Sequence, residues 1–109
     1  MSKLLIVTQV YENYAWNEDG SIGVGADAYW KAKGGSEYVV ENIDPNRAAD
    51  IANWAAGEVE QDNEYFRETV IHWEVVADDY LTEFEQSQLE YEGKITFPAT
   101  KLVVDKIAT

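Results

Sequence analysis

Charge is distributed very unevenly along this chain, and that limits what it can fold into. Residues 1–40 hold five acids and three bases, residues 93–109 one acid and three bases, and residues 41–92 fifteen acids and two bases. The net charge of -13 therefore belongs to one stretch of 52 residues. Like charges at that density oppose compaction, so the stretch needs a substantial apolar counterweight or a cationic partner. The counterweight is present: 46% of the residues are apolar and fourteen are aromatic. That excludes a disordered acidic tail and points to one folded domain over 1–109. A domain of this size buries roughly two-thirds of its unfolded surface.

No cysteine occurs, which removes disulfides, thiolate zinc sites and thiol nucleophiles. The opening Met1-Ser2-Lys3-Leu4-Leu5-Ile6-Val7 has too short an apolar run for a signal peptide, and no later run would span a bilayer. A cytoplasmic protein that avoids nucleic acid and anionic membranes is expected.

Hydrophobic periodicity gives the order β-β-α-β-α-β-β. Residues 3–10 are aliphatic and β-branched and read as a strand with both faces apolar at its start. Residues 11–35 mix aromatics with turn-forming glycines and read as a long loop or irregular hairpin. A strand over 36–42 precedes Asp44-Pro45, a cap followed by a residue suited to a first helical turn. Ala48, Ile51, Ala52, Ala55 and Val59 recur at helical spacing with Trp54 on their flank, which predicts a helix over about 45–60. A polar joint covers 61–66. Residues 68–77 alternate, with Ile71, Trp73 and Val75 on one face and His72 and Glu74 on the other. Thr82 and Glu85 form a capping-box pattern for a second helix that ends at Gly93, with Leu81, Phe84, Gln88 and Leu89 on one face. Short strands over 94–97 and 101–106 flank Pro98. The expected fold is α+β: a mainly antiparallel sheet of four to five strands with two helices packed on one face.

Two sets of residues are candidates for function. The first is acidic: Asp50, Glu58, Glu60, Asp62, Glu64, Asp78, Asp79, Glu83 and Glu85. A solvated face would account for them. An ordinary surface mixes signs, however, and the near absence of bases favours a site for a basic protein. Duplex DNA presents one charge per about 1.7 Å. A helix with acids three or four apart presents one per roughly 5–6 Å, so two helices and a strand end would be needed to imitate it. The second set is aromatic and basic: Tyr14, Trp16, Tyr29, Trp30, Lys31 and Lys33. It reads as core filling, as a base-stacking platform with lysines on phosphate, or as a protein-binding hot spot.

Catalytic and metal motifs do not accumulate. Asn17, Asp19 and Ser21 start like a calcium loop, but Ile22 and Ala28 stand where glycine and glutamate are required. His72 is the single histidine, and no Gly-x-Ser-x-Gly elbow or phosphate-binding glycine loop accompanies it. No metal, cofactor or enzymatic activity is expected.

Leu5-Ile6-Val7-Thr8-Gln9-Val10-Tyr11-Glu12-Asn13-Tyr14 and Tyr29-Trp30-Lys31-Ala32-Lys33-Gly34-Gly35-Ser36-Glu37-Tyr38-Val39-Val40 resemble a group of small acidic proteins encoded by tailed phages. The resemblance covers about a third of the chain and carries over no catalytic residue. It implies a phage or prophage setting in a host cytoplasm, where small acidic proteins often inhibit host defence or nucleic-acid enzymes. The leading expectation is thus a non-enzymatic acidic inhibitor of the anti-restriction or anti-CRISPR type, a nucleic-acid mimic that occupies the basic groove of a nuclease. The alternative is a nucleotide-signal sponge that uses the loop 11–35. Self-association through the less charged edge from Pro98 to Thr109 is a further expectation.

Overall fold

The computed structural model describes residues 2–16, 19–24 and 28–103. Asn17, Gly25 and the 104–106 part of the last expected strand lie outside them. Six strands and two helices run in the order β1 (Ser2–Asn13), β2 (Trp30–Ala32), β3 (Glu37–Ile43), α1 (Ala48–Val59), β4 (Gln61–Asp62), β5 (Phe66–Val76), α2 (Glu83–Glu92) and β6 (Thr100–Lys101). The class is α+β.

β1 is the spine of a curled sheet. It pairs antiparallel with β5 along one edge, and with β3 and then β2 along the other. β4 extends the sheet beyond β5, and β6 pairs parallel with β3. The sheet is therefore mixed and six-stranded, not mainly antiparallel with four or five strands. The two added strands are short: β2 interrupts the expected loop, and β4 forms from the expected polar joint. Residues 94–97 form no strand, and among the described residues the last strand covers Thr100–Lys101.

The core lies between the sheet and α1. Leu4, Ile6, Val40 and Ile43 pack against Ala48, Ile51, Ala52 and Ala55, all buried, with Tyr38, Trp54, Val70 and Leu102 at the margin. The Asp44 carboxylate accepts from the Asn46 backbone, and Pro45 opens a 3-10 turn that leads into α1. The apolar stripe read from the sequence is thus the buried face of the helix.

Leu4 and Ile6 point toward α1, so Leu5 and Val7 point to the opposite face. A cleft of about 430 Å³ there is lined by Leu5, Val7, Gln9, Tyr80 and Glu83. The chain entering α2 thus borders this cleft. Phe84 and Leu89 are exposed rather than core-forming. The buried residue of α2 is Gln88, whose amide donates to the Phe97 carbonyl and accepts from the Thr96 and Phe97 N–H groups. Polar contacts with the following loop replace the expected apolar seam.

Glu68 is a buried carboxylate held by neutral donors. The Thr8 hydroxyl donates to it at 2.6 Å and the Tyr38 hydroxyl at 3.0 Å. Burial, reinforced by this carboxylate, pushes the Tyr38 phenol above its ordinary value.

The capping box at α2 is fully formed: Glu85 N–H donates to Thr82 Oγ1, and Thr82 N–H donates to Glu85 Oε1. Thr82→Ala should cost about 1 kcal/mol, read by urea unfolding. Burial raises the Glu85 pKa, but hydrogen bonds from Thr82 and Ala99 outweigh it and hold the carboxyl below its usual range. The cap's contribution is therefore present above the ordinary glutamate pKa and lost as pH falls through the lower folded-state value.

Candidate functional site

At the far end of β1 the chain leaves the sheet at Asn13, a buried residue that organises everything around it. Its Nδ2 donates to the Gly23 carbonyl at 2.7 Å and to the Glu64 carbonyl at 3.0 Å. Its Oδ1 accepts from Ala15 N–H at 3.0 Å and from Tyr29 N–H at 3.1 Å. One side chain thereby joins the strand exit, Gly23, Tyr29 and the turn before β5. Asn63 shapes that turn by accepting from the N–H groups of Tyr65 and Phe66, both at 2.8 Å.

These bonds fix an aromatic pole. Trp16 is 63% exposed and Tyr29 62%, and Tyr14 and Tyr65 are also exposed. Core filling is therefore not the role of these rings. Trp16 sits 6.5 Å from the Tyr65 ring, tilted by 45°. The ammonium groups of Lys31 and Lys33 each lie 5.8 Å from the centre of the Tyr14 ring. The Arg67 guanidinium stacks 4.4 Å over half-buried Trp30. A cavity of about 340 Å³ opens between Asn13, Trp30, Asp62, Glu64 and Arg67.

Two of the three cations at this pole are paired with carboxylates. Lys33 meets Glu12 at 2.6 Å, and Arg67 meets Asp62 at 3.2 Å. The Lys33 ammonium holds the Glu12 carboxyl below its usual range, and Glu12 in turn raises the lysine. A phosphate would have to displace a carboxylate from Lys33 or Arg67, whereas Lys31 lies against the Tyr14 ring. A cationic guest meets exposed rings and several acids instead.

The nine acids read from the sequence divide among several places. Asp62 and Glu64 lie at the aromatic pole, joined to it through Arg67 and through the Asn13 bond to the Glu64 carbonyl, whereas Glu60 lines a neighbouring cavity with Asp62, Arg67 and Thr69. Glu60 also accepts from the Val70 N–H at the sheet edge. Asp50 and Glu58 are exposed on α1, whereas Glu83 lines the cleft on the opposite face together with Glu37 and Glu74. Asp78 and Asp79 lie past the other end of β5, a strand about 33 Å long. The Glu85 carboxylate is committed to the α2 cap and to Ala99 N–H. The acids are divided among the aromatic pole, α1, the cleft lining and the far end of β5.

All six residues of the aromatic and basic set do come together. Asn13, Tyr65 and Arg67 join them and were not singled out from sequence. Asn13 at a strand end before a glycine-rich segment was the available signal. Arg67 and Tyr65 enter only through pairing with β1, more than fifty residues away. Among the described residues, no cluster of acids and histidine could hold a metal ion. His72 is exposed with its Nε2 3.8 Å from Glu74, a surface pair. No helix is long and apolar enough to cross a membrane among the described residues. No known protein family, curated protein or solved structure matches this chain.

Proposed function

We propose that this is a non-enzymatic, stoichiometric binding protein whose partner is a basic protein surface. The contact is the aromatic pole, with Trp16, Tyr29 and Tyr65 as anchors and Glu60, Asp62 and Glu64 as the acidic rim. The exposure of Trp16 and Tyr29 on loops held by buried Asn13 carries this reading. Exposed aromatic rings on a braced scaffold lose little freedom on binding and accept guanidinium or ammonium groups on their faces. The remaining acids supply a long-range field that speeds encounter with a cationic partner. In the phage setting implied by the N-terminal resemblance, the partner is a nucleic-acid-binding enzyme of the host, and the protein is its inhibitor. The acids of α1 and α2 steer, and the pole anchors.

The test is capture from a bacterial lysate at low salt, followed by a salt gradient. A basic protein should be retained and should elute steeply with salt. Reversing Glu60, Asp62 and Glu64 to lysine should weaken retention at least tenfold, and so should the double variant Trp16→Ala, Tyr29→Ala. Retention that survives both changes contradicts the reading.

The cavity beside Trp30 and Arg67 favours one second reading, a small planar ligand such as a nucleotide, because its volume falls at the lower end of ligand sites. Calorimetry with adenine and cyclic nucleotides separates the two. Heat that is lost in Trp30→Ala supports the ligand site, and no heat supports the protein partner.

A further inference from the structure

β5 has a free edge. β1 covers one side of it from Phe66 to Val76, whereas β4 covers the other side only at Arg67 and Glu68, and the Glu60 carboxylate caps Val70 N–H. Among the described residues, no strand pairs with that edge from Ile71 to Val76. Trp73 and Val75, which share one face of this stretch, are exposed. A long unpaired edge bearing large apolar side chains promotes association unless something covers it.

We propose that a second copy of this chain covers it, β5 against β5 antiparallel, about a two-fold axis through Trp73. The segment His72-Trp73-Glu74 is self-complementary in that register. Trp73 faces its own copy and His72 falls opposite Glu74 at both ends of the axis, while Ile71, the extra residue of a bulge against β1, lies outside the paired segment. A shift to centre on Glu74 would oppose two glutamates, and a shift to centre on His72 would oppose two histidines; residues directly opposite interact most strongly. Trp73 lies opposite Ile6 within the sheet, on the face that carries α1, so the paired indoles would extend the existing core layer.

The interface lies away from the β6 edge where the sequence placed self-association, and away from the aromatic pole, which would be duplicated at opposite ends of the dimer. Two chains of net charge -13 repel, so this association should strengthen with salt, the reverse of binding to a basic partner.

The chain has no cysteine, so engineered cysteines report the register directly. Residues directly opposite in an antiparallel pair have Cα atoms about 4.5–5.5 Å apart, within disulfide reach. Full-length His72→Cys and Glu74→Cys proteins, mixed and oxidised, should cross-link to each other several-fold more than either does alone. Sedimentation of the unmodified chain should show a dimer that tightens by tenfold or more from 50 to 500 mM salt. Trp73→Lys should leave the circular dichroism unchanged and shift the population to monomer. A monomer at 100 µM protein and 500 mM salt, or self-linking by His72→Cys alone equal to the mixture, overturns the proposal.

Discussion

Replacing Asn13 with alanine should lower stability by about 3 kcal/mol and abolish binding at the aromatic pole. The side chain makes four hydrogen bonds at once, to Gly23, Glu64, Ala15 and Tyr29. A buried group left without its partner costs about 1–3 kcal/mol. Loop carbonyls and amides regain water once the segments part, so the four losses do not add in full. Part of the effect is therefore structural: 14–16, 22–24 and 28–29 lose their common anchor, and the rings they carry lose their arrangement. Asn13→Asp should be at least as damaging at neutral pH, because an oxygen would replace the amide N–H₂ that faces two carbonyls. Urea unfolding followed by tryptophan fluorescence measures both. A loss under 1 kcal/mol with binding intact would remove Asn13 from the account.

The second large effect is expected at Gly35, where alanine should cost about 3 kcal/mol or more. A Cβ there would lie 1.9 Å from the Thr8 carbonyl oxygen and 3.0 Å from its carbon. The obstacle is backbone and cannot rotate away. Glycine is needed because the segment between β2 and β3 stays bonded to β1, with Thr8 N–H on the Ser36 carbonyl at 2.9 Å and Val10 N–H on the Gly34 carbonyl at 2.7 Å. Relieving the clash breaks those bonds next to the buried Thr8–Glu68 pair. Overpacking alone costs about 1–3 kcal/mol, and the lost backbone bonds add to it. Gly57 is the internal control. It lies in α1 with nothing within 4 Å of its Cβ position, so alanine there should stabilise by about 1 kcal/mol through helix propensity. Opposite signs for one chemical change separate close approach from backbone freedom.

What could be read from sequence was local. Asp44-Pro45 and the stripe from Ala48 to Val59 identify α1, and every stripe residue is buried. The Thr82–Glu85 box and Gly93, at φ 76° with left-handed geometry, bound α2. Each of those signals is complete within a few residues. The misread features depend on partners far along the chain. β2 and β4 are strands because β1 and β5 offer them an edge, not because their own residues alternate. Gln88 is buried because the 96–97 backbone meets it, and no periodicity announces that. The acids follow the same rule: Asp62 and Glu64 reach the aromatic loop only through the pairing of β5 with β1. The density of charge in 41–92 is plain in the sequence, but where each acid sits depends on how the elements that carry them pair.

The central claim, that the aromatic pole is the contact surface, is tested most directly by hydrogen–deuterium exchange on the captured complex. Slowed exchange at 13–16, 28–31 and 62–67, with 83–92 unchanged, is the expected pattern. Protection confined to 83–92 or to the exposed side of α1, with the pole exchanging as in the free protein, would contradict it.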